Sequence, residues 1–371
     1  MNKLDNILTQ RNKIYIFGAQ SRAKTLTGYL SYLYPNVRIE AYIVDDLAQN
    51  ISSTEKIPIY ELCKGNLFNT ELPVFIATKG CYHGDIQKML CEYGFRIIIP
   101  ITVDVDNWFR NAYVRHKYSR EGRKFNKLEQ LCVGEDCSIK KNQSACIYMA
   151  KSIYDNPLQS SYVRPDYEKP IQVGAALTSE RLEPGILTDC EGDNISEKNR
   201  QYCELTALYW IWKHAPEEIV GLAHYRRHFI LPDHWQEIMV TNHIDVILPV
   251  PTYVAPSIDE NYRERHDPSD WEYLLEYLKN NLPTDYEEAR RVFAGNLYSP
   301  CNMFIMRREI LDELCTWMFP ILDAVAEHGG EKSDIYWNRY PGFISERLIT
   351  LYFDKYKDRY TIVYADKNFI S

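Results

Sequence analysis

The sequence predicts an α/β protein of two domains, a Rossmann-like parallel sheet followed by a larger α/β domain. Three observations predict this. Short β-rich runs alternate with amphipathic helical stretches over residues 13–100, the spacing of parallel βαβ units. That alternation stops over 102–142 and resumes near Ser144. At 371 residues the chain also exceeds what one hydrophobic core usually serves.

In order, KIYIF at 13–17 is the first strand, closed by Gly18, and Arg22–Leu33 reads as a helix with Leu26, Leu30 and Leu33 on one face. Strands follow at Arg38–Val44 and Pro73–Thr78, a helix at Asp85–Tyr93 and a strand at Arg96–Pro100. The loop Gly18–Ala23 would offer backbone N–H groups at a helix start, a seat for phosphate, but it lacks the complete G-x-G-x-x-G. Asp45 or Asp46 either takes a ribose hydroxyl or closes a solvated turn.

With IFGAQSRA, AYIVDD, KIPIYEL and VFIAT in place, the first domain, 1–103, resembles over residues 1–101 the N-terminal Rossmann-like domains of bacterial sugar O- and N-acyltransferases, which bind nucleotide sugars. Gln20 and Arg22 stand where that pattern has its further glycine, which favours a docking or regulatory module. Residues 104–142 read as a helical linker. Its basic cluster (Arg115, His116, Lys117, Arg120, Arg123, Lys124) is either a solvated face or a contact for a membrane-bound acceptor or anionic headgroup.

The second domain, 143–371, opens with the strand ACIYMAKS and continues through a Pro-rich loop to PIQVGAAL. HIDVILPV (243–250) is a buried-type strand, and the polar, aromatic stretch 251–270 reads as a mobile lid. Helices are expected at Trp271–Asn280 and Tyr286–Phe293, a strand at Cys301–Met306, and a helix from Arg308 interrupted or ended near Pro320. The last helix, Phe343–Phe353, carries Ile344, Leu348, Leu351 and Tyr352 on one face, before a closing strand at Arg359–Tyr364.

Residues 186–229 concentrate the polar chemistry. Asp189, Glu191 and Asp193 alternate like a calcium loop, yet the twelfth position is Arg200 rather than Glu and the glycine is misplaced, so that reading fails. Asn194 or Ser196 can cap a helix whose stripe is Leu205, Leu208, Tyr209 and Trp212, leaving Asn199 and Glu204 to face solvent or a ligand. Ile219–Ala223 reads as a buried parallel strand delivering His224, Arg226 and Arg227 at its C-terminal edge, where guanidinium forks suit a diphosphate. The alternative is an internal network pairing the arginines with Asp189 or Asp193.

The run D-x-x-G-D-N-I-S-x-x-N-x-x-Y-C-E-L-T-x-L-Y-W-x-W-K, with G-L-x-H-Y-R-R-x-F, D-V-I-L-P, N-M-F-I-M and G-F-x-S-E-R-L, resembles a bacterial domain family first catalogued as of unknown function. That family is associated with capsular and exopolysaccharide synthesis and includes galactofuranosyltransferases. The resemblance covers about Ala145–Tyr364 and implies an inverting GT-A-like glycosyltransferase that uses a UDP-sugar, UDP-galactofuranose among the candidates, with a glycan or lipid-linked glycan acceptor. Relatives commonly carry His-Lys where Ala150-Lys151 stands.

For such a transferase, Glu346 is the candidate base: it lies two residues, roughly 200°, from Leu348, off the core face of the last helix. The bland reading is a solvated charge or the partner of a nearby basic residue. Asp193 and Asp245 are the alternative carboxylates. Arg226, Arg227 and Lys151 would neutralise the diphosphate, joined on the donor side by Asp189, Asn194, Asn199, Glu204 and His224, while Asn302 would orient a sugar hydroxyl. Metal use is left open between Mn, Mg and none, since Asp245 in HIDVILP lacks the second acid of a D-x-D motif.

A formal charge of −8 argues against nucleic acid as a partner. Ten scattered cysteines without C-x-x-C argue against a zinc site and for reduced thiols, and no apolar run reaches the ~20 residues of a membrane span. With no signal-like start, the expected location is the cytoplasm, with peripheral membrane contact through the acceptor; nothing bears on oligomeric state. Two other function classes compete: an inactive nucleotide-sugar-binding or assembly module, and an NAD-dependent oxidoreductase, which only the short match Tyr60 to Lys64 favours.

Overall fold

A computed structural model describes residues 2–48, 57–63, 65, 67–133, 143–158 and 162–370; residues 134–142 of the expected linker, Cys137 and Lys64 lie outside these. The chain divides into two compact units, one running through Lys124 and the other Phe125–Ile370.

In the first unit five parallel strands, β1 (Lys13–Phe17), β2 (Arg38–Val44), β3 (Ile59–Glu61), β4 (Val74–Ile76) and β5 (Ile98–Pro100), lie in the order β3-β2-β1-β4-β5. This is the doubly wound arrangement, with helices α1 (Asn2–Gln10), α2 (Ser21–Leu33), α3 (His83–Tyr93) and α4 (Val103–Arg120). At the switch point Gly18 has φ +106°, and a Cβ there would stand 3.1 Å from the Ala77 carbonyl, so only glycine lets β1 and β4 approach so closely. Asp45 and Asp46 accept backbone N–H groups of their own turn, the second of the two readings for that pair.

The helix expected as part of the connector is α4, and it packs on the first sheet's layer rather than standing free. Phe109 stacks on Tyr29, Tyr113 meets Tyr32 at 4.6 Å with the planes tilted, and Val114 is buried. Thr102 caps it, Asp104 and Asp106 sit in its first turn and Lys117 and Arg120 in its last, the charge order the helix dipole favours. Arg115, His116 and Arg120 are exposed.

The second unit is built on an eight-stranded mixed sheet. Its strands are β6 (Ala145–Lys151), β7 (Glu168–Gln172), β8 (Leu187–Thr188), β9 (Ile219–His224), β10 (Phe229–Ile230), β11 (Val246–Pro249), β14 (Phe304–Arg307) and β15 (Ile362–Lys367), while β12 (Thr252–Tyr253) and β13 (Leu297–Tyr298) form a separate hairpin-like pair. The order is β10-β15-β11-β14-β9-β6-β7-β8, with β14 and β10 antiparallel to their neighbours. Helices are α5 (Asn199–Tyr202), α6 (Leu205–His214), α7 (Trp235–Thr241), α8 (Ile258–Arg265), α9 (Pro268–Asn281), α10 (Pro283–Phe293), α11 (Arg308–Gly329) and α12 (Tyr340–Lys355). Alternate strand residues explain the two layers. Ile147, Ile219, Ala223, Ile247 and Ile305 face α7 through Trp235, Ile238 and Met239, whereas Tyr148 packs on Trp210 of α6.

Two expectations are corrected here. The stretch 251–270 is not a bare lid: Ser257 caps α8, Ile258 and Tyr262 are buried, and Asp267 caps α9 with Pro268 at its first position. And α11 runs through Pro320 without ending, because Phe319, Ile321 and Leu322 around it are all buried and hold the helix in place.

Candidate active site

The parallel strands of the second sheet end on one edge. β6 delivers Lys151 there and β9 delivers His224; β14 runs the other way, so the loop entering it, Cys301-Asn302, lies on that same edge. The first turns of α12 close over this loop. Glu346 Oε1 accepts from the Cys301 N–H at 2.5 Å, and its Oε2 accepts from Arg347 at 2.6 Å. The Cys301 carbonyl accepts from His224 Nε2 at 2.6 Å, which fixes the tautomer with its proton on Nε2. Asn302 donates to Glu204 at 2.8 Å and to the Gly342 carbonyl at 3.1 Å, and accepts from Ser345 at 2.8 Å. Glu204, His224, Cys301, Asn302 and Glu346 thus form one connected network drawn from four chain segments. Cys301 and Asn302 have φ of +71° and +50°, a left-handed pair without glycine.

Burial sets the electrostatics. The Glu346 side chain is 14% exposed. Desolvation raises its carboxyl above the usual range, with nearby Glu204 adding to the shift and Arg347 and the Cys301 N–H opposing it. Desolvation also lowers His224, against the pull of Glu204, so the imidazole is neutral. A carboxylate of raised basicity beside a neutral imidazole is a proton acceptor, and each Glu346 oxygen keeps a second lone pair.

The arginine turn after β9 is held from behind. His228, buried, places Nδ1 2.9 Å from Glu168 and Nε2 3.2 Å from the Tyr225 carbonyl, and Tyr162 stacks on its ring at 3.8 Å. Residues 368–370 add three bonds: Asn368 Oδ1 accepts from His228 N, Asn368 N donates to the His228 carbonyl, and Ile370 N donates to the Arg226 carbonyl. Arg226 donates to the Asn156 carbonyl at 3.3 Å and Arg227 lies over the Phe369 ring. Among the described residues neither arginine pairs with Asp189 or Asp193, the alternative raised by the sequence. Asp155 joins this side: burial raises its carboxyl, while the Ser152 N–H, Arg226 and Lys151 draw it down.

The remaining expected residues fall elsewhere. Asp189, expected at the donor, is 0% exposed and accepts from Gly174 N, Ala175 N, Ser196 Oγ and Thr206 Oγ1, so it is an internal fastener rather than a ligand. Its replacement by Ala leaves those donors unpaired and is expected to cost about 3 kcal/mol or more, read by chemical denaturation. Asn194 braces its own turn through the Cys190 and Gly192 carbonyls, and Asn199 spans the break between α5 and α6 through Cys203 O and Thr206. Asp193 is exposed and tied to Tyr209 and His214, the latter about 15 Å along α6 from Glu204 at 1.5 Å per residue. Asp245 precedes β11, at the opposite edge of the sheet, where it accepts from Thr361 N and pairs with Arg307. Asn302 has spent both amide hydrogens on protein partners, which makes it a cross-brace instead of a sugar contact.

Cys301, Ser345, Arg347, Arg339, Asp155, Glu168 and His228 were not singled out by the sequence. Ser345 and Arg347 stand inside the G-F-x-S-E-R-L run, which was their only signal. Among the described residues no three His, Cys, Asp or Glu side chains assemble as a cation set. Glu204 and His224, 3.9 Å apart, are a pair that Asn302 and the Cys301 carbonyl already engage. Among the described residues no helix is long and apolar enough to cross a membrane.

The fold is mixed α/β, with a parallel sheet and a larger mixed sheet, and is consistent with that of an α/β glycosyltransferase. The chain belongs to the family described as a domain of unknown function, DUF4422, whose model matches residues 158–358. It is similar to the apo structure of WbbM, a bifunctional glycosyltransferase, at 26% identity and a TM-score of 0.53, over 62% of this chain and 45% of that one. The chain therefore spans less than half the length of that protein. No curated protein matches it.

Proposed function

We propose that the chain is an inverting glycosyltransferase that moves a sugar from a UDP-sugar, galactofuranose being the favoured one, to a hydroxyl of a glycan or lipid-linked glycan in surface-polysaccharide synthesis. The observation that supports this best is the meeting of a partly buried carboxylate of raised pKa, Glu346, with the arginine turn on one sheet edge. Glu346 takes the proton of the acceptor hydroxyl as its oxygen bonds to the anomeric carbon. The bond from that carbon to the diphosphate breaks, and the electron pair leaves with UDP beside Arg226 and Arg227, with Lys151 near. The resemblance to a glycosyltransferase structure supports the reaction class, and the quoted family motifs support the sugar.

UDP release from a panel of UDP-sugars, with and without manganese, tests the proposal, and turnover of at least one is expected. Donor binding by calorimetry without release from any, even with acceptor glycosides added, would instead establish a non-catalytic nucleotide-sugar-binding module. No release and no binding would end both readings.

A further inference from the structure

Beside Glu346 lies an aromatic surface that the donor chemistry leaves unused. Phe343, one turn before Glu346 on α12, stacks on His266 at 4.1 Å with the planes 23° apart. Tyr336 meets Phe343 at 5.1 Å and His266 at 5.8 Å, the latter with planes 24° apart. Tyr262, fully buried, backs His266 from beneath at 4.7 Å. The rings therefore form a shelf from a buried base to an open rim. At the rim the consecutive residues Ile335, Tyr336 and Trp337 are 85%, 47% and 49% exposed, an apolar run on an otherwise polar surface.

Two contacts make the shelf continuous with the site. Arg339 lies over the Phe343 ring at 5.9 Å and donates to Cys203 Sγ at 3.1 Å, next to Glu204. Arg347, the partner of Glu346, stands over Tyr298 at 4.4 Å and Tyr262 at 5.5 Å. Burial, with Arg347 and Arg265, holds His266 down at about 3, so its ring stacks as a neutral aromatic at working pH.

We infer that this shelf, Tyr336 and Phe343 with His266 behind them, seats the acceptor: a sugar ring lies with its C–H face on the aromatic rings and one hydroxyl directed toward Glu346. The acceptor role rests on the proposed transferase activity. Pyranose rings present a face of C–H bonds to aromatic planes while their hydroxyls point sideways, the combination this shelf and the neighbouring carboxylate can accommodate together. The apolar run at the rim is then continuous with the subsite that orients the nucleophile.

The test uses the full chain and two probes, methyl β-D-galactopyranoside and octyl β-D-galactopyranoside. In saturation-transfer NMR the wild type is expected to mark the C–H face of the methyl glycoside, and Tyr336→Ala to lose most of that signal while Tyr336→Phe keeps it. With a donor that the wild type turns over, Tyr336→Phe is expected to keep the wild-type KM for both glycosides and Tyr336→Ala to raise it about tenfold. Phe343→Leu, which keeps an apolar side chain at the half-buried position, is expected to act in the same direction. An effect confined to the octyl compound would show that the shelf holds a lipid tail and would overturn the inference, as would unchanged KM and saturation transfer in both Tyr336→Ala and Phe343→Leu. If no UDP-sugar is turned over at all, the transferase reading fails, and saturation transfer still decides whether a sugar sits on the shelf.

Discussion

Glu346→Gln is expected to lower kcat about a thousandfold while donor affinity stays within about threefold, the size of effect a general base supplies. Gln keeps an acceptor for the Cys301 N–H, so the loop is retained and the loss reads on proton transfer. The pH dependence follows from burial. The working form is the carboxylate and its pKa is raised, so kcat/KM of the wild type should rise with pH through an ionisation above the usual carboxylate range, and this limb should vanish in the variant. Stability runs the opposite way: the neutral form suits the desolvated site, so the wild type should lose stability relative to Glu346→Gln as pH climbs from the ordinary carboxylate value through the raised one. Melting temperatures of the two proteins across that window check it. A wild-type rate that is flat there, or a variant of undiminished kcat, would remove Glu346 from the chemistry.

Arg226 and Arg227 replaced together by Ala should weaken UDP binding about a hundredfold or more, since charge-assisted hydrogen bonds contribute about 1.5–3 kcal/mol each. The melting temperature should change little, because neither arginine is in an ion pair among the described residues and the turn is held by the Glu168–His228 contact and the chain's end. Calorimetry with UDP reads the first quantity. Unchanged affinity with a lowered melting temperature would make the pair structural. Replacing Arg227 by Lys separates charge from geometry, since a lysine keeps the charge but not the planar fork.

Much of this arrangement is legible in the chain. The strands Lys13–Phe17 and Arg38–Val44 match their expected bounds because a β-rich run closed by glycine or paired aspartates leaves little choice. The stripe Ile344, Leu348, Leu351 and Tyr352 is buried as its spacing demands, and Glu346 does lie off it. What spacing could not show is that the off-stripe face is itself covered. The covering loop is Cys301-Asn302, brought in by an antiparallel strand, so the residue expected to carry a solvated charge is a carboxylate only 14% exposed, with two partners. Asp245 illustrates the opposite error. Its position at a strand was correct, but which edge it occupies depends on strand direction, and a residue before a parallel strand lies across the sheet from one after it. Asp189 looked like a ligand because acids at alternate positions do, whereas its donors at 174–175, 196 and 206 are gathered only once the strand and both helices have met. The polar atoms of Asn194 and Asn199 are likewise spent on backbone that no local pattern reveals.

The left-handed pair at Cys301-Asn302 ties the competence of the site to an event far along the chain. Each residue held there costs on the order of 1–3 kcal/mol, and the loop keeps that shape through bonds from Glu346 and Glu204, 45 and 98 residues distant. Undocking of α12 would release Cys301 and let the loop spring to ordinary backbone, carrying the His224 contact with it. The sheet could stay whole while this happens. On the proposed reading, a chain with a finished sheet and an unseated last helix would be folded to most probes and silent.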